Sequence, residues 1–129
     1  MHKLEELAAA VTIQSTRTPA PAPADSWDAK ASHWSCTLHY QGRTMAAVEY
    51  HQGSAHKKPP TAAGVLYALL FDAGSVEGQD FAGWCGELGY SQDSRRALST
   101  YLECQDIAQR VRALLGRDFA EFAEAARGY

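Results

Sequence analysis

The sequence predicts an α+β fold: a three-stranded antiparallel sheet packed against four or five helices. Residues 33–51 alternate apolar and polar around Gln41-Gly42, the mark of a hairpin. Residues 61–126 carry apolar side chains at helical spacing in successive runs, parted by Gly89 and Gly116. A chain of 129 residues is the length of one domain with one core.

The elements follow in order. Leu4, Leu7, Ala8 and Val11 stand at i, i+3, i+4 and i+7, one face of a short helix. VTIQSTRT then alternates and predicts a strand at 12–18. TPAPAPAD follows, and its prolines cannot donate ladder hydrogen bonds, so 19–26 is expected to be a flexible Pro/Ala-rich loop with Trp27 beyond it. In HWSCTLHYQGRTMAAVEYH, Trp34, Cys36, Leu38 and Tyr40 share one face of a strand at 33–40, and His33, Ser35, Thr37 and His39 share the other.

The return strand, 44–51, must put apolar opposite apolar. A two-residue loop, Gln41-Gly42, would pair Leu38 with Met45 and Trp34 with Glu49. A three-residue loop, Gln41-Gly42-Arg43, pairs Trp34 with Tyr50, Cys36 with Val48 and Leu38 with Ala46, and is the register expected. Gly42 supplies the positive φ of that turn. The first strand is expected to join the hairpin, because three strands are stabler than two.

Pro59-Pro60 stops the sheet, and Thr61 is placed to cap the helix TAAGVLYALLFDAG. Val65, Leu66, Leu69 and Ala73 form its inner stripe. Tyr67, Leu70 and Phe71 widen that stripe until the helix is apolar nearly all round. Phe81, Trp84, Cys85 and Leu88 mark a third helix, closed by Gly89. Ser91 is placed to cap a long fourth helix, with Ala97, Tyr101, Cys104, Ala108, Val111 and Leu115 on one face. Asp118 and Glu121 stand at capping-box spacing before Phe119, Phe122 and Ala126, a last short helix.

Composition narrows the function. An apolar fraction of 46% is that of a globular chain, and a net charge of −3 gives no general attraction to DNA. Residues 1–71 carry +1 and residues 72–129 carry −4, an excess that fits either an acidic face on the second half or, as the plainer reading, a mixed solvated surface. No apolar run reaches membrane-spanning length, and MHKLEELAAAV has no cleavage-like region, so a cytoplasmic location is expected.

Chemistry-bearing residues are sparse. Cys36, Cys85 and Cys104 make an odd count without CxxC and fall on inward faces, which reads as core thiols. His33 and His39 would stand about 20 Å apart along a strand, too far to share a metal. His51 and His56 lack a third ligand at recognised spacing. No GxSxG, HExxH or phosphate-binding glycine loop occurs, so no enzymatic activity, catalytic residue, metal or cofactor is expected. HQGSAHKKPP places His56, Lys57 and Lys58 before a helix N-terminus, where free amides attract anions. Proline and glycine also make that stretch a plain crossing from sheet to helix.

WSCTLHYQGRTM, YHQGSAHKKPPTAAGVL, FAGWCGELGYSQDSRRA and YLEC, together spanning Trp34 to about Leu115, resemble a group of small proteins encoded by phages and integrated mobile elements of bacteria. In that group an acidic residue often stands where this chain has Gly64, so the resemblance implies a weaker Thr61 cap here. It carries over no catalytic residue. What it implies is context: a non-enzymatic binding protein, an anti-defence inhibitor of the anti-CRISPR type that sterically blocks a surface of a CRISPR effector ribonucleoprotein. Glu77, Asp80, Glu87 and Asp93 are the expected acidic contact, and Arg43, His56, Lys57 and Lys58 the expected basic one. The alternative is a nucleic-acid-binding accessory protein that touches phosphates through the 51–58 loop and the outer hairpin face, with His33, His39 and Arg43.

Overall fold

Strand alternation and helical spacing resolve into a definite element order. It runs α1 (Lys3–Ala8), β1 (Thr12–Thr18), β2 (Ser32–Tyr40), β3 (Arg43–Gln52), α2 (Ala62–Val76), α3 (Phe81–Leu88), α4 (Arg95–Leu115), a 3-10 turn (Gly116–Asp118) and α5 (Phe119–Arg127). The computed structural model describes residues 2–18, 32–52 and 58–129; the expected 19–26 loop, Trp27, His56 and Lys57 lie outside them. The fold is α+β, with an antiparallel sheet in the order β1-β2-β3. The chain divides into two compact units, Met1–Val65 and Leu66–Tyr129.

The first unit is the sheet and its flanks. β1 pairs with β2 from Thr12 opposite His39 to Thr18 opposite His33, so the first strand does join the hairpin. The hairpin turn has two residues where three were expected. Gln41 and Gly42 both have positive φ, 50° and 78°, the mirror-image turn whose twist matches the strands it joins. Leu38 therefore faces Met45, not Ala46. The register then shifts between Cys36 and Leu38, and Cys36 faces Val48 and Trp34 faces Tyr50, as expected.

A β-bulge reconciles the two. The tight turn sends Met45 inward, and Val48, three residues on, would then point outward. One extra residue restores it. Ala47 carries the distortion with φ 54°, and its amide donates to Thr37 Oγ1 at 3.4 Å. Met45 and Val48 are both buried, while Ala46 and Ala47 are exposed. Leu4, Val11, Trp34, Cys36, Leu38 and Tyr40 are buried in the same unit. His2 caps α1, its Nδ1 accepting the Leu4 amide while Glu5 accepts the His2 amide.

His33 departs from its expected place on an open outer face. It is only 4% exposed, and its ring centroid lies 4.4 Å from that of His51. β2 is the middle strand, so Thr18 and His51 flank His33 on both sides.

Thr61 caps α2 as expected, accepting the Gly64 amide at 3.1 Å. A Cβ at Gly64 would stand 3.2 Å from Thr61 Oγ1 and 3.3 Å from the Tyr50 hydroxyl, so this glycine leaves room for Tyr50 beside the cap.

In the second unit, Asp80 caps α3 by accepting the Gly83 amide at 2.8 Å, and Gly89 closes it with φ 76°. The cap of α4 is Ser94, which accepts the Ala97 amide at 3.1 Å, not Ser91. Ser91 is spent on the preceding turn: its carbonyl accepts the Ser94 amide and its hydroxyl the Asp93 amide. Asp118 makes no capping hydrogen bond either, because its backbone is already helical and α5 runs straight out of the 3-10 turn.

Trp84, Cys85, Ala97, Tyr101 and Cys104 form a buried cluster with Val76 and Phe81. The ring centroids of Trp84 and Tyr101 are 5.5 Å apart, and the Tyr101 hydroxyl donates to the Gln79 carbonyl at 3.0 Å. Those contacts fasten the α2–α3 connection to α4.

Candidate functional site: an apolar groove in the helical unit

α2 has two apolar faces. Leu66, Leu69 and Ala73 are buried, as its inner stripe predicts, and so is Leu70, one of the residues expected to widen it. Tyr67, Phe71 and Gly74 stand at i, i+4 and i+7 on another side. The expected widening of one stripe is corrected there: Phe71 is 60% exposed and Tyr67 38%. With Leu70 and Ser75 these residues form one wall of a groove of about 470 Å³.

α5 supplies the facing wall through Phe119, Ala123, Ala126 and Arg127, again at helical spacing. Glu77 and Gln79 from the α2–α3 connection and Glu87 and Leu88 from α3 complete the lining. Gly74, Ala123 and Ala126 are small, and a Cβ at Gly74 would meet nothing within 4 Å. Apolar and polar groups share the lining, and the open space beside Gly74 leaves the groove accessible from outside.

Charge on the rim is mostly neutralised within the unit. Arg112 stands 4.0 Å from Glu77, with its guanidinium 4.1 Å over the Phe119 ring. Arg127 pairs with Glu124. Glu87 is exposed and has no ion pair among the described residues. The net sign of the rim is therefore negative, centred on Glu87.

Two of the four acidic residues nominated from sequence, Glu77 and Glu87, thus meet at one groove. Asp80 is engaged as the α3 cap, and Asp93 sits exposed in the turn before α4. Of the basic group, Arg43 lies 5.8 Å over the Tyr40 ring and donates to Gln41 Oε1 at 3.3 Å. Lys58 is exposed, and its carbonyl accepts from Gln52 Nε2 at 3.4 Å. The groove residues Tyr67, Phe71 and Leu88 were assigned to packing by their spacing. The available signal was a helix with more apolar positions than one buried face uses, together with paired alanines on α5.

The thiols are arranged for packing. Cys36, Cys85 and Cys104 are all buried and free. Burial pushes all three thiols upward; the Ser15 hydroxyl partly offsets this at Cys36, and the Asp72 carboxylate adds to it at Cys104. Among the described residues no three His, Cys, Asp or Glu side chains are grouped so as to hold a metal ion, and no helix is long and apolar enough to cross a membrane.

No protein family, curated protein or solved structure matches this chain.

Proposed function

We propose that this chain works by binding another protein, as a phage or mobile-element inhibitor of a host defence complex of the anti-CRISPR type. The contact is the acidic-rimmed groove, and the mechanism is steric occupation of a basic surface on a CRISPR effector. One observation carries the site: Glu77 and Glu87, nominated by the charge asymmetry of the sequence, line the same exposed apolar groove. Contiguous exposed apolar surface with a polar rim is what a protein-docking site presents. The phage and anti-defence context rests on the sequence resemblance alone. A carboxylate rim complements the Lys/Arg channel through which an effector holds nucleic acid, and speeds encounter with it.

The test is retention of a complex from host-cell lysate on the purified protein at low and moderate salt. A single large ribonucleoprotein held at moderate salt, and released by the Glu77→Lys/Glu87→Lys variant, is the expected result. Bulk nucleic acid that washes off steeply as salt rises would instead favour the accessory reading, with Arg43 and Lys58 as the first residues to replace. Retention of nothing at either salt overturns both.

A further inference from the structure

We infer that the groove between α2 and α5 takes an amphipathic α-helix of the partner, bearing two bulky apolar side chains and one Lys or Arg on the inserted face. This deepens the reading of the chain as a protein-binding inhibitor and rests on it.

The walls decide the backbone of the occupant. Both are helices, whose mid-helix N–H and C=O groups are already bonded within the helix. They offer no sheet edge to an extended peptide, whose own backbone groups would lose water without gaining partners. A helix satisfies its backbone internally and brings only side chains, so it fits such walls without that cost. Gly74, Ala123 and Ala126 contribute small side chains to the lining, and a Cβ at Gly74 would meet nothing within 4 Å, which favours close approach of a third helix on that side. Phe71, 60% exposed, and Leu88, 43% exposed, supply apolar contact area for two anchors.

Charge decides the rest. Arg112 and Arg127 are each met by a carboxylate of the same unit, Glu77 and Glu124. Glu87 is left to be matched from outside. An inserted cation would find it, whereas an inserted carboxylate would meet repulsion. A wholly apolar helix would desolvate Glu87 without return.

The experiment is selection from a displayed library of helical peptides, randomised at i, i+3, i+4 and i+7 on an Ala/Glu/Lys scaffold, against the intact protein. Gly74→Phe, which fills the groove, serves as counter-target. Gly74→Ala and a thermal melt establish that position 74 accepts a side chain without loss of fold. Expected winners carry Lys or Arg beside two bulky apolar residues, bind Glu87→Lys at least about tenfold more weakly, and recover on that variant when their cation is exchanged for Glu. Winners without a basic residue, winners indifferent to Glu87→Lys and Gly74→Phe, or an empty selection overturn the inference. So does concentration-dependent self-association abolished by Gly74→Phe, which would give the groove to a second copy of the chain. A lysate complex that survives Gly74→Phe removes this inference and leaves the inhibitor reading standing. Specific helices without any lysate complex do the reverse.

Discussion

Asp72 is the residue least comfortable in its surroundings. Burial raises its carboxyl above the ordinary range, and Glu103 nearby raises it further. The charged form therefore costs stability that the neutral form does not. A group whose folded pKa is raised contributes stability below its unfolded pKa, near 4, and loses that contribution as pH climbs through the folded value. Asp72→Asn is therefore expected to melt higher than the parent at pH 7. The difference should shrink to nothing as melts are repeated down to about pH 3, where both residues are neutral. A constant difference across that range would mean that Asp72 acts through packing and not through its charge. Neighbouring Ser75 shows how the rest of this region is satisfied: its hydroxyl donates to the Asp72 carbonyl at 2.7 Å and accepts from Trp84 Nε1 at 3.3 Å.

At the scale of elements, two positions test how the backbone was bent into place. Ala47 holds a left-handed conformation inside β3, where a Cβ is strained and a β-branched side chain more so. Ala47→Val is expected to lose stability, because a β-branched side chain adds crowding to the Cβ strain that alanine already carries, while Ala47→Gly should stay within about 0.5 kcal/mol of the parent, because relief of strain offsets the added freedom of the unfolded chain. Denaturant titration of both variants measures this. Gly86 lies inside α3 with open space where a Cβ would stand, so Gly86→Ala should gain roughly 0.5–1 kcal/mol. Equal stability there would mean that α3 is not held as a helix in solution.

These elements also show what was legible in the sequence. Period two fixed β1 through β3 nearly to the residue, and the Thr61 and Gly89 signals marked helix ends correctly. The turn length was missed because matching apolar pairs under one uniform register admits no bulge. Met45 and Val48, three apart and both buried, were the clue to one. Ser91 and Ser94 are equally good caps by composition, and only the turn between them decides. The groove was hidden because Tyr67 and Phe71 obey the same spacing whether they face a core or a partner.

For the molecule as a whole, the three cysteines sit in the two compact units unequally: Cys36 in the sheet unit, Cys85 and Cys104 in the helical one. Each is buried and each is held as the thiol by that burial, so alkylation requires the surrounding unit to open. In native buffer all three are expected to react at least about a hundredfold more slowly than in denaturant, given the several kcal/mol that separate folded from open states. Pulse alkylation at rising urea, read by mass spectrometry, then follows each unit by its own reporter. Cys85 and Cys104 share one aromatic cluster, with Trp84 and Tyr101 between α3 and α4. They should therefore become labelled together, along a single curve. Cys36 reports the β1–β2–β3 ladder, where its sulfur lies 3.6 Å from the Ser15 hydroxyl across the strand pair. Coincidence of its curve with the other two would mean that both units unfold in one cooperative step. Separation would rank the stabilities of sheet and helices directly. A thiol labelled fast in native buffer would contradict the burial that all three share, and would make that cysteine the first candidate for chemistry in this chain.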